Sequence, residues 1–508
     1  MYESTQKRFR YGSHIRPVSD IWSDLALLTL YGGVGRIGGN KVVLQDRGTK
    51  VLLDFGLDFS LNNIYYSWPF FRPRASRGLH DYFELGLLPK VKGLYRKDLQ
   101  RRADLQAQDP EFSFVAISHG HLDHVGCLPF VHESIPAGMG RITKEVLAAI
   151  SASRHDLESE FIEVGLIPEG RLKAREIPPS RQAKGYVQRE VRPFVTGDII
   201  SCDGVDLEPI HVDHSIPGAY GFIVYCSDAT IAYTGDLRLH GTKPELTRDF
   251  VEAAARARPD LLITEGTNVS DAGNQGSEGL VKGRLSSAVR RSQKLVVAGF
   301  DIKNVDRLRT MYELARENGR KLVIPLKKAP IYEALSNDPK LGMPPMSDDN
   351  VALYLPRRNY VYPDGTYPLE EYDEDQRRLL KKRDVESVTC REVKARESGF
   401  LLSLDYYDFN ELLDIKPSPG SLYLYSKTEP FNEEMEMDYG RMRAWLERLR
   451  FSVKAAHCSG HASRSDLFRI IEEIRARKVM PIHTEHPEMF SRFNLISPAL
   501  GKAIKVTS

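Results

Sequence analysis

The sequence has little cysteine and no long apolar run, and both features narrow the class of protein. Five cysteines occur among 508 residues, and no two of them form a CxxC pair, so neither a disulfide framework nor a thiolate zinc finger is indicated. Scarce cysteine suits a reducing cytoplasm. No run approaches the roughly 18 uncharged apolar residues of a membrane helix. The polar, basic N-terminus does not resemble a secretory signal. We therefore expect a cytoplasmic protein with no membrane partner.

An excess of charge of one sign is also missing. The chain has 71 Lys and Arg against 69 Asp and Glu, a net charge of +2. This balance excludes a histone-like polycation but leaves a local basic groove open. A length of 508 residues with 41% hydrophobic and 28% charged residues predicts a folded chain of two or more domains. The 14 histidines are more informative, because most of them occur in a few clusters.

Hydrophobic patterning predicts three kinds of segment along the chain: strands, an insertion of mixed composition, and alternating helices and strands. Residues 25–58 read as a β-meander, and further strands are predicted at 112–118, 199–206, 221–227 and 230–234. Between them, residues 60–110 mix aromatic and basic side chains and are predicted to form an insertion with short helices. From about 246, helices alternate with strands, which is typical of a parallel α/β layer. The segment 335–420 gives a weak signal apart from a charged helix at 377–383.

The densest histidine cluster follows a predicted strand directly, in the sequence SHGHLDH at 118–124. Alternate residues of an extended chain point the same way, so His119 and His121 can chelate one metal ion. Asp123 and His124 come where the chain turns, and they can face a second ion. A chance polar loop is the alternative, but three histidines and an aspartate in this frame are rare by chance. The cluster therefore predicts a metal site.

Three more ligand candidates lie at the ends of predicted strands. His214 precedes a strand, whereas Asp236 and His483 each follow one. Loops at strand ends are where a sheet presents functional groups. A lone histidine at a strand end is more often structural, so the hypothesis rests on the whole set.

These residues resemble the motifs of the metallo-β-lactamase superfamily, which include a strand-end aspartate, here Asp54 in LLDFG. More narrowly, the chain resembles the β-CASP nucleases, in particular their ribonuclease J-like, RNA-processing group. The opening loop YGGVGRIGGN at 31–40 carries part of this resemblance. Glu265 in LITEGTN resembles motif A, His461 in HCSGHAS motif B, and His483 in PIHTE motif C.

The resemblance implies an α/β fold, an αββα metallo-β-lactamase sandwich with an inserted α/β β-CASP domain. The sandwich would comprise residues 1–245, with the insertion at about 60–110, and residues 451–508, which contain motifs B and C. The β-CASP domain would comprise residues 246–450. The active site would lie in the cleft between the two domains.

It also implies two Zn²⁺ ions, with Mn²⁺ as the alternative metal. One zinc would be held by His119, His121 and His214. The other would be held by Asp123, His124 and His483, with Asp236 as the bridge. A hydroxide between the ions would attack the phosphodiester, and the ions would stabilise both the attacking and the leaving oxygens. The catalytic residues would be Asp123, Asp236, Glu265 and His461, with His461 at the scissile phosphate and Glu265 orienting it.

A phosphate pocket is expected just before a predicted helix. Ser459 and the backbone N–H groups of Gly460, His461, Ala462 and Ser463 would form it. For Ser459 alone, a capping or turn role is equally plausible.

The substrate implied by the resemblance is RNA, because a histidine at motif C accompanies the RNA-processing members. Single-stranded RNA is the expected partner; exonuclease or endonuclease action and a homo-oligomer stay open. A DNA nuclease or small phosphodiester hydrolase on the same fold is one alternative. A non-catalytic RNA-binding scaffold is another, although all seven ligands are present here. The aromatic and basic residues of 60–110 could stack single-stranded RNA, or they could form a packing insert.

Overall fold

The computed structural model describes residues 25–67, 71–153, 156–166, 185–271, 273, 276–362, 366–382, 384–428, 430 and 433–507. The polar N-terminus, Trp68 and Phe70 of the insertion, and the end of the charged helix at Arg383 lie outside them. The chain forms two compact units. The first contains the described residues up to Leu239, Lys243–Gly273 and those from Gly460 onward. The second contains His240–Thr242 and the described residues from 276 to Ser459.

The first unit contains a sheet of seven strands. The predicted meander is confirmed, because its three strands pair antiparallel in sequence order, and the remaining inner strands join in parallel. From edge to edge the strands are Ala503–Lys505, Leu27–Gly32, Lys41–Asp46, Thr49–Phe55, Phe114–Ala116, Ala137–Gly140 and Val191–Phe194.

A second sheet of six strands faces the first. From edge to edge the strands are Lys478–Pro481, Leu261–Thr264, Thr230–Tyr233, Tyr220–Tyr225, Val205–His211 and Ile200–Cys202. Buried side chains of both sheets, among them Leu30, Phe114 and Phe222, form one shared core. Two further cores cover the outer faces of the sheets, where the helices pack. Apolar residues on both faces of each sheet require covering layers on both sides. The predicted αββα arrangement is therefore confirmed.

The helices of this unit are mostly short. Those before the histidine cluster confirm the predicted helical insertion. The helices are Phe59–Tyr65, His80–Glu84, Lys97–Arg102, Leu122–Val125, Arg141–Ser153, Pro244–Ala257 and Arg464–Ile474. A separate pair of strands, Glu163–Leu166 and Gly185–Gln188, forms a small antiparallel sheet.

The second unit is built on one parallel sheet. From edge to edge its seven strands are Ser387–Thr389, Val351–Leu355, Lys321–Pro325, Phe400–Ser403, Val296–Gly299, Leu422–Tyr425 and Ser452–Ala455. Its helices are Glu278–Arg291, Val305–Glu317, Ala329–Ser336, Glu374–Leu380, Cys390–Ala395, Glu411–Ile415 and Glu433–Arg448. Three of the strands lie in 335–420, where the sequence signal is weak. They are three to five residues long and mostly buried, so they show little polar alternation.

Strand pairing places two segments differently from the sequence prediction. Leu261–Thr264 pairs with Thr230–Tyr233 and Lys478–Pro481, so residues 246–273 pack in the first unit. Ser452–Ala455 pairs with Leu422–Tyr425 and belongs to the second unit. The expected boundaries at 245/246 and 450/451 thus lie nearer the N-terminus than the points where the chain passes between the two units. Both units contain similar helix–strand alternation, and only long-range hydrogen bonds distinguish them.

No helix in the described ranges is long and apolar enough to cross a membrane.

Candidate metal centre

Four ligand atoms from three loops of the first unit converge on one point. His121 Nδ1 lies 3.2 Å from His119 Nε2 and 3.1 Å from His214 Nε2. The Oδ2 atom of Asp236 lies 3.6 Å from His119 Nε2 and 3.9 Å from His214 Nε2. Ligand atoms about 2.1 Å from a tetrahedral ion are roughly 3.4 Å apart. The four atoms therefore have the spacing of a metal-binding set.

A second set of four atoms shares the same aspartate oxygen. The Oδ2 atom of Asp236 lies 3.1 Å from His124 Nε2 and 3.7 Å from His483 Nε2. The Oδ2 atom of Asp123 lies 3.1 Å from His483 Nε2 and 3.9 Å from His124 Nε2. All seven residues expected as ligands thus fall into two groups with Asp236 in common, and within each group the ligand atoms lie within 4.8 Å of one another.

Unsatisfied polar atoms at the centre of these groups fit a metal ion. The Nε2 atom of His124 and both carboxylate oxygens of Asp236 are buried, and the 3.1 Å approach of His124 Nε2 to Asp236 Oδ2 lacks hydrogen-bond geometry, so none of the three atoms has a hydrogen-bond partner among the described residues. Buried polar atoms are nearly always paired, and an exception needs an explanation such as a bound ion. Imidazole nitrogens and carboxylate oxygens are ligands that zinc accepts. The residues therefore fit a metal cofactor.

The protonation of the first group also suits metal binding. Burial and the neighbouring imidazoles hold the pKa of His119 and the pKa of His214 well below the usual value. Burial alone would raise the pKa of Asp236, but His124 and His483 outweigh it and hold that pKa low. Neutral histidines and an ionised carboxylate are the forms that bind metal.

Asp54 orients one of the ligands from a strained position. Its carboxylate lies 2.8 Å from His124 Nδ1 and accepts hydrogen bonds from the Ser118 amide at 2.7 Å and the Tyr233 hydroxyl at 2.6 Å. Asp54 has a φ of +56°, in the left-handed region that costs energy for a non-glycine residue. A carboxylate on the outer nitrogen of a histidine directs the other nitrogen toward the metal. Sequence reasoning identified Asp54 but missed Tyr233, which carries no motif signal.

Other histidines are held in the same way by hydrogen bonds on the nitrogen that faces away from the centre. His214 Nδ1 lies 2.6 Å from the Gly460 carbonyl oxygen, and His119 Nδ1 lies 3.0 Å from Ser118 Oγ. His483 Nδ1 lies 2.9 Å from Thr267 Oγ1. The ligand rings are therefore oriented by the surrounding protein.

The opening loop approaches this centre closely. Gly38 has a φ of +80°, and a Cβ atom there would lie 2.9 Å from the Asp123 Cβ. The Gly33 carbonyl accepts a hydrogen bond of 2.7 Å from the His483 amide. Glycine is needed where the backbone both turns left-handed and touches a ligand residue.

His461 lies beside the shared aspartate, as expected from motif B. Its Nδ1 atom lies 3.1 Å from Glu265 Oε2, 3.1 Å from Thr267 Oγ1 and 3.8 Å from Asp236 Oδ2. Burial lowers the pKa of His461, but Glu265 and Asp236 outweigh burial and raise it to about 9. Asn268 Nδ2 donates to the His461 carbonyl at 3.0 Å. Thr267 and Asn268 lie within the LITEGTN segment of motif A, but sequence reasoning assigned neither of them a role.

Two of the residues expected to contact phosphate have other roles within the fold. The Ala462 amide donates to the Leu237 carbonyl at 2.7 Å, so it is already used within the fold. Ser463 Oγ caps helix Arg464–Ile474 by accepting from the Asp466 amide at 3.2 Å. Ser463 thereby stabilises the start of this helix, because its first amides need partners.

The other predicted phosphate residues fall in different places. The Gly460 carbonyl orients His214, and a Cβ at Gly460 would lie 2.7 Å from Ser215 Oγ. Ser459 belongs to the second unit, where its carbonyl lies 2.7 Å from His240 Nε2. The ligand atom of His461 lies within 4.8 Å of those of Asp236, Glu265 and His483.

Comparisons with known proteins agree with this geometry. The sequence model of the metallo-beta-lactamase superfamily matches residues 34–280, and that of the Zn-dependent metallo-hydrolase RNA specificity domain matches 448–495. Ribonuclease J of Thermus thermophilus is 24% identical over 463 residues, covering 89% of this chain and 67% of that protein. Ribonuclease J2 of Bacillus subtilis is 24% identical over 464 residues, covering 90% of this chain and 68% of that protein.

A solved structure shares the fold over nearly the whole chain. It is a protein of unknown function from Enterococcus faecalis V583, with a TM-score of 0.68 and 22% identity, covering 95% of this chain and all of that one. The two matching sequence models, the length of the similarity and the convergent ligand groups lead to one assignment. They support a β-CASP, ribonuclease J-like family of metallo-β-lactamase-fold proteins as the one to which this chain is similar.

Proposed function

We propose that this protein is a ribonuclease that uses two Zn²⁺ ions to hydrolyse phosphodiester bonds of single-stranded RNA. One observation carries the proposal: two ligand groups share Asp236, and His461 lies beside them. Ions held by these groups would activate water and offset the negative charge of the phosphodiester. The RNA specificity domain at 448–495 and the ribonuclease J relatives support RNA as the substrate.

His461 and Glu265 supply the protein's own part of the reaction. Glu265 Oε2 lies 3.1 Å from His461 Nδ1 and holds the imidazole ring in place. A pKa of about 9 keeps His461 protonated near neutral pH. It can then bind a phosphate oxygen and donate a proton to the leaving oxygen as the P–O bond breaks. Glu265 is itself held by the Leu237 amide at 3.2 Å, so its orientation is fixed.

The test compares RNA cleavage with metal content. We expect Asp123→Ala and His124→Ala to abolish cleavage of a single-stranded RNA, and the thermal unfolding transition should remain cooperative. Zinc per chain, measured by elemental analysis, should fall in both variants. Unchanged cleavage in either variant would contradict the two-metal mechanism.

Substrate choice needs a competition assay. Matched single-stranded RNA, single-stranded DNA and bis(p-nitrophenyl) phosphate should be offered to the same protein, and RNA should have the highest kcat/KM. A preference for DNA or for the small diester would contradict the RNA assignment. A cleavage ladder on RNAs with 5′-triphosphate, 5′-monophosphate or 5′-hydroxyl ends distinguishes exonuclease from endonuclease action.

The location that we propose is the cytoplasm. All five cysteines are free thiols, and four of them are buried, which suits a reducing compartment.

A further inference from the structure

The aromatic and basic residues of the 60–110 insertion divide into a buried part and an exposed part. Leu79, Tyr82, Tyr95 and Leu99 pack in the core outside the first sheet. Arg96, the first residue of the arginine-rich run, is 1% exposed and forms salt bridges within the protein. This part of the insertion is explained by packing and needs no ligand.

The other part exposes aromatic side chains to solvent. Phe59 and Tyr65 are each 42% exposed and Phe71 is 61% exposed; we refer to these three residues as the aromatic ridge. The helix that carries the first two, Phe59–Tyr65, contains no charged side chain. Each exposed, uncharged ring can stack on a nucleobase without repelling the phosphates beside it.

The aromatic ridge begins next to the metal ligands. The Leu57 amide donates to the carbonyl of Leu122, the residue between His121 and Asp123, at 2.8 Å. Asp58 then caps helix Phe59–Tyr65 by accepting from the Leu61 amide at 2.9 Å. The ridge therefore starts two residues from a direct backbone contact with the ligand loop.

Arg36 adds a cation at the same place. Its backbone forms an antiparallel bridge with Thr484, the residue after His483. Its guanidinium donates to Asp58 Oδ2 at 2.8 Å, and 32% of its side chain remains exposed. Arg36 thus links the end of one ligand strand to the start of the aromatic ridge.

We propose that Arg36 and the aromatic ridge bind the substrate RNA beside the scissile bond, with the rings stacked on unpaired bases and the guanidinium contacting a phosphate. This inference rests on the proposed function and extends it. Stacking needs exposed base faces, which a duplex does not offer, so the surface selects single-stranded RNA. Arginine is the side chain best shaped for phosphate recognition.

The experiment uses the full chain and two probes, a fluorescently labelled single-stranded RNA and bis(p-nitrophenyl) phosphate, which carries no flanking nucleobases. The measured quantity is kcat/KM for RNA divided by kcat/KM for the small diester. We expect the double variant Phe59→Ala, Tyr65→Ala to lower this ratio about 100-fold, because each lost stacking contact with a base should cost roughly tenfold. Tyr65→Trp keeps a ring and should preserve the ratio. Arg36→Gln should weaken RNA binding and reduce its salt dependence.

Ile64→Ala is the matched control, because Ile64 is apolar, 69% exposed and on the same helix but cannot stack. It should leave the ratio unchanged.

An unchanged ratio in the double variant, or an equal loss in Ile64→Ala, would overturn the inference while leaving the proposed function intact. A change in sedimentation of the double variant with no loss of RNA binding would mean that the face joins two copies of the chain, and it would also overturn the inference. Wild-type protein that hydrolyses the small diester but neither binds nor cleaves RNA would overturn the proposed function and, with it, this inference.

Discussion

Replacing Asp54 by Asn should weaken metal binding without disturbing the backbone. Asn tolerates the left-handed φ of +56° at this position, so the change isolates the carboxylate. The side-chain oxygen of Asn must accept from the Ser118 amide, which leaves the NH₂ group facing His124 Nδ1, 2.8 Å away in the wild type. Two N–H donors cannot face each other, so the His124 ring must move its proton to Nε2 or rotate. Either change removes its lone pair from the metal.

The expected size follows from how outer hydrogen bonds affect metal sites. Loss of such a partner lowers metal affinity about 10- to 100-fold, which corresponds to about 1.4–2.7 kcal/mol. Zinc affinity should be measured by competition with a chromophoric chelator, and RNA cleavage should be followed at limiting and saturating zinc. Cleavage should recover partly at high zinc.

Asp46→Asn provides a matched control. Asp46 is also buried and accepts from the Ser227 amide at 2.7 Å and the Ser227 hydroxyl at 2.6 Å, but it touches none of the seven ligands in the described structure. This variant should keep wild-type zinc affinity. Equal zinc affinity in Asp54→Asn and the wild type would refute the argument that Asp54 sets the His124 tautomer.

Two further predictions concern the residues around His461. His461→Ala should retain both metals and lower kcat for RNA by about 10²- to 10⁴-fold, the usual range for a lost general acid; loss of zinc by elemental analysis would mean that His461 is a ligand. Thr267→Val removes the hydroxyl that lies between His461 and His483 and should lower kcat about tenfold, from one lost hydrogen bond of roughly 1 kcal/mol or more. Thr267→Ser retains the hydroxyl and should keep kcat near the wild-type value, whereas an equal loss in both variants would point to the methyl group.

The ligand set was predictable because each ligand belongs to a short local motif at a strand end. His119, His121, Asp123 and His124 follow one another within six residues, and the change from extended chain to a turn separates the directions of the first two from those of the last two. Their convergence with His483 was not derivable from spacing, since 360 positions separate it from Asp123. Only the resemblance to a known family connected them before the structure did.

The expected phosphate pocket shows where local reasoning failed. A glycine and small polar residues before a helix are typical of anion binding. Here the Ala462 amide pairs with Leu237, more than 200 positions earlier, and the Ser463 hydroxyl caps its own helix. A sequence pattern does not reveal which distant carbonyl uses a backbone amide.

The sequence by itself determined the order of the metal ligands, the helix–strand alternation of the parallel α/β layer, and the absence of an excess of either charge. These properties depend on neighbouring residues or on composition. The tertiary structure decided which strand joins which sheet. It also decided that Tyr233 holds Asp54 in place and that Thr267 holds His483. Only the folded chain shows that part of the 60–110 insertion is buried while Phe59, Tyr65 and Phe71 stay exposed. Burial and hydrogen-bond partners depend on residues far away in the chain, and only folding brings those residues together.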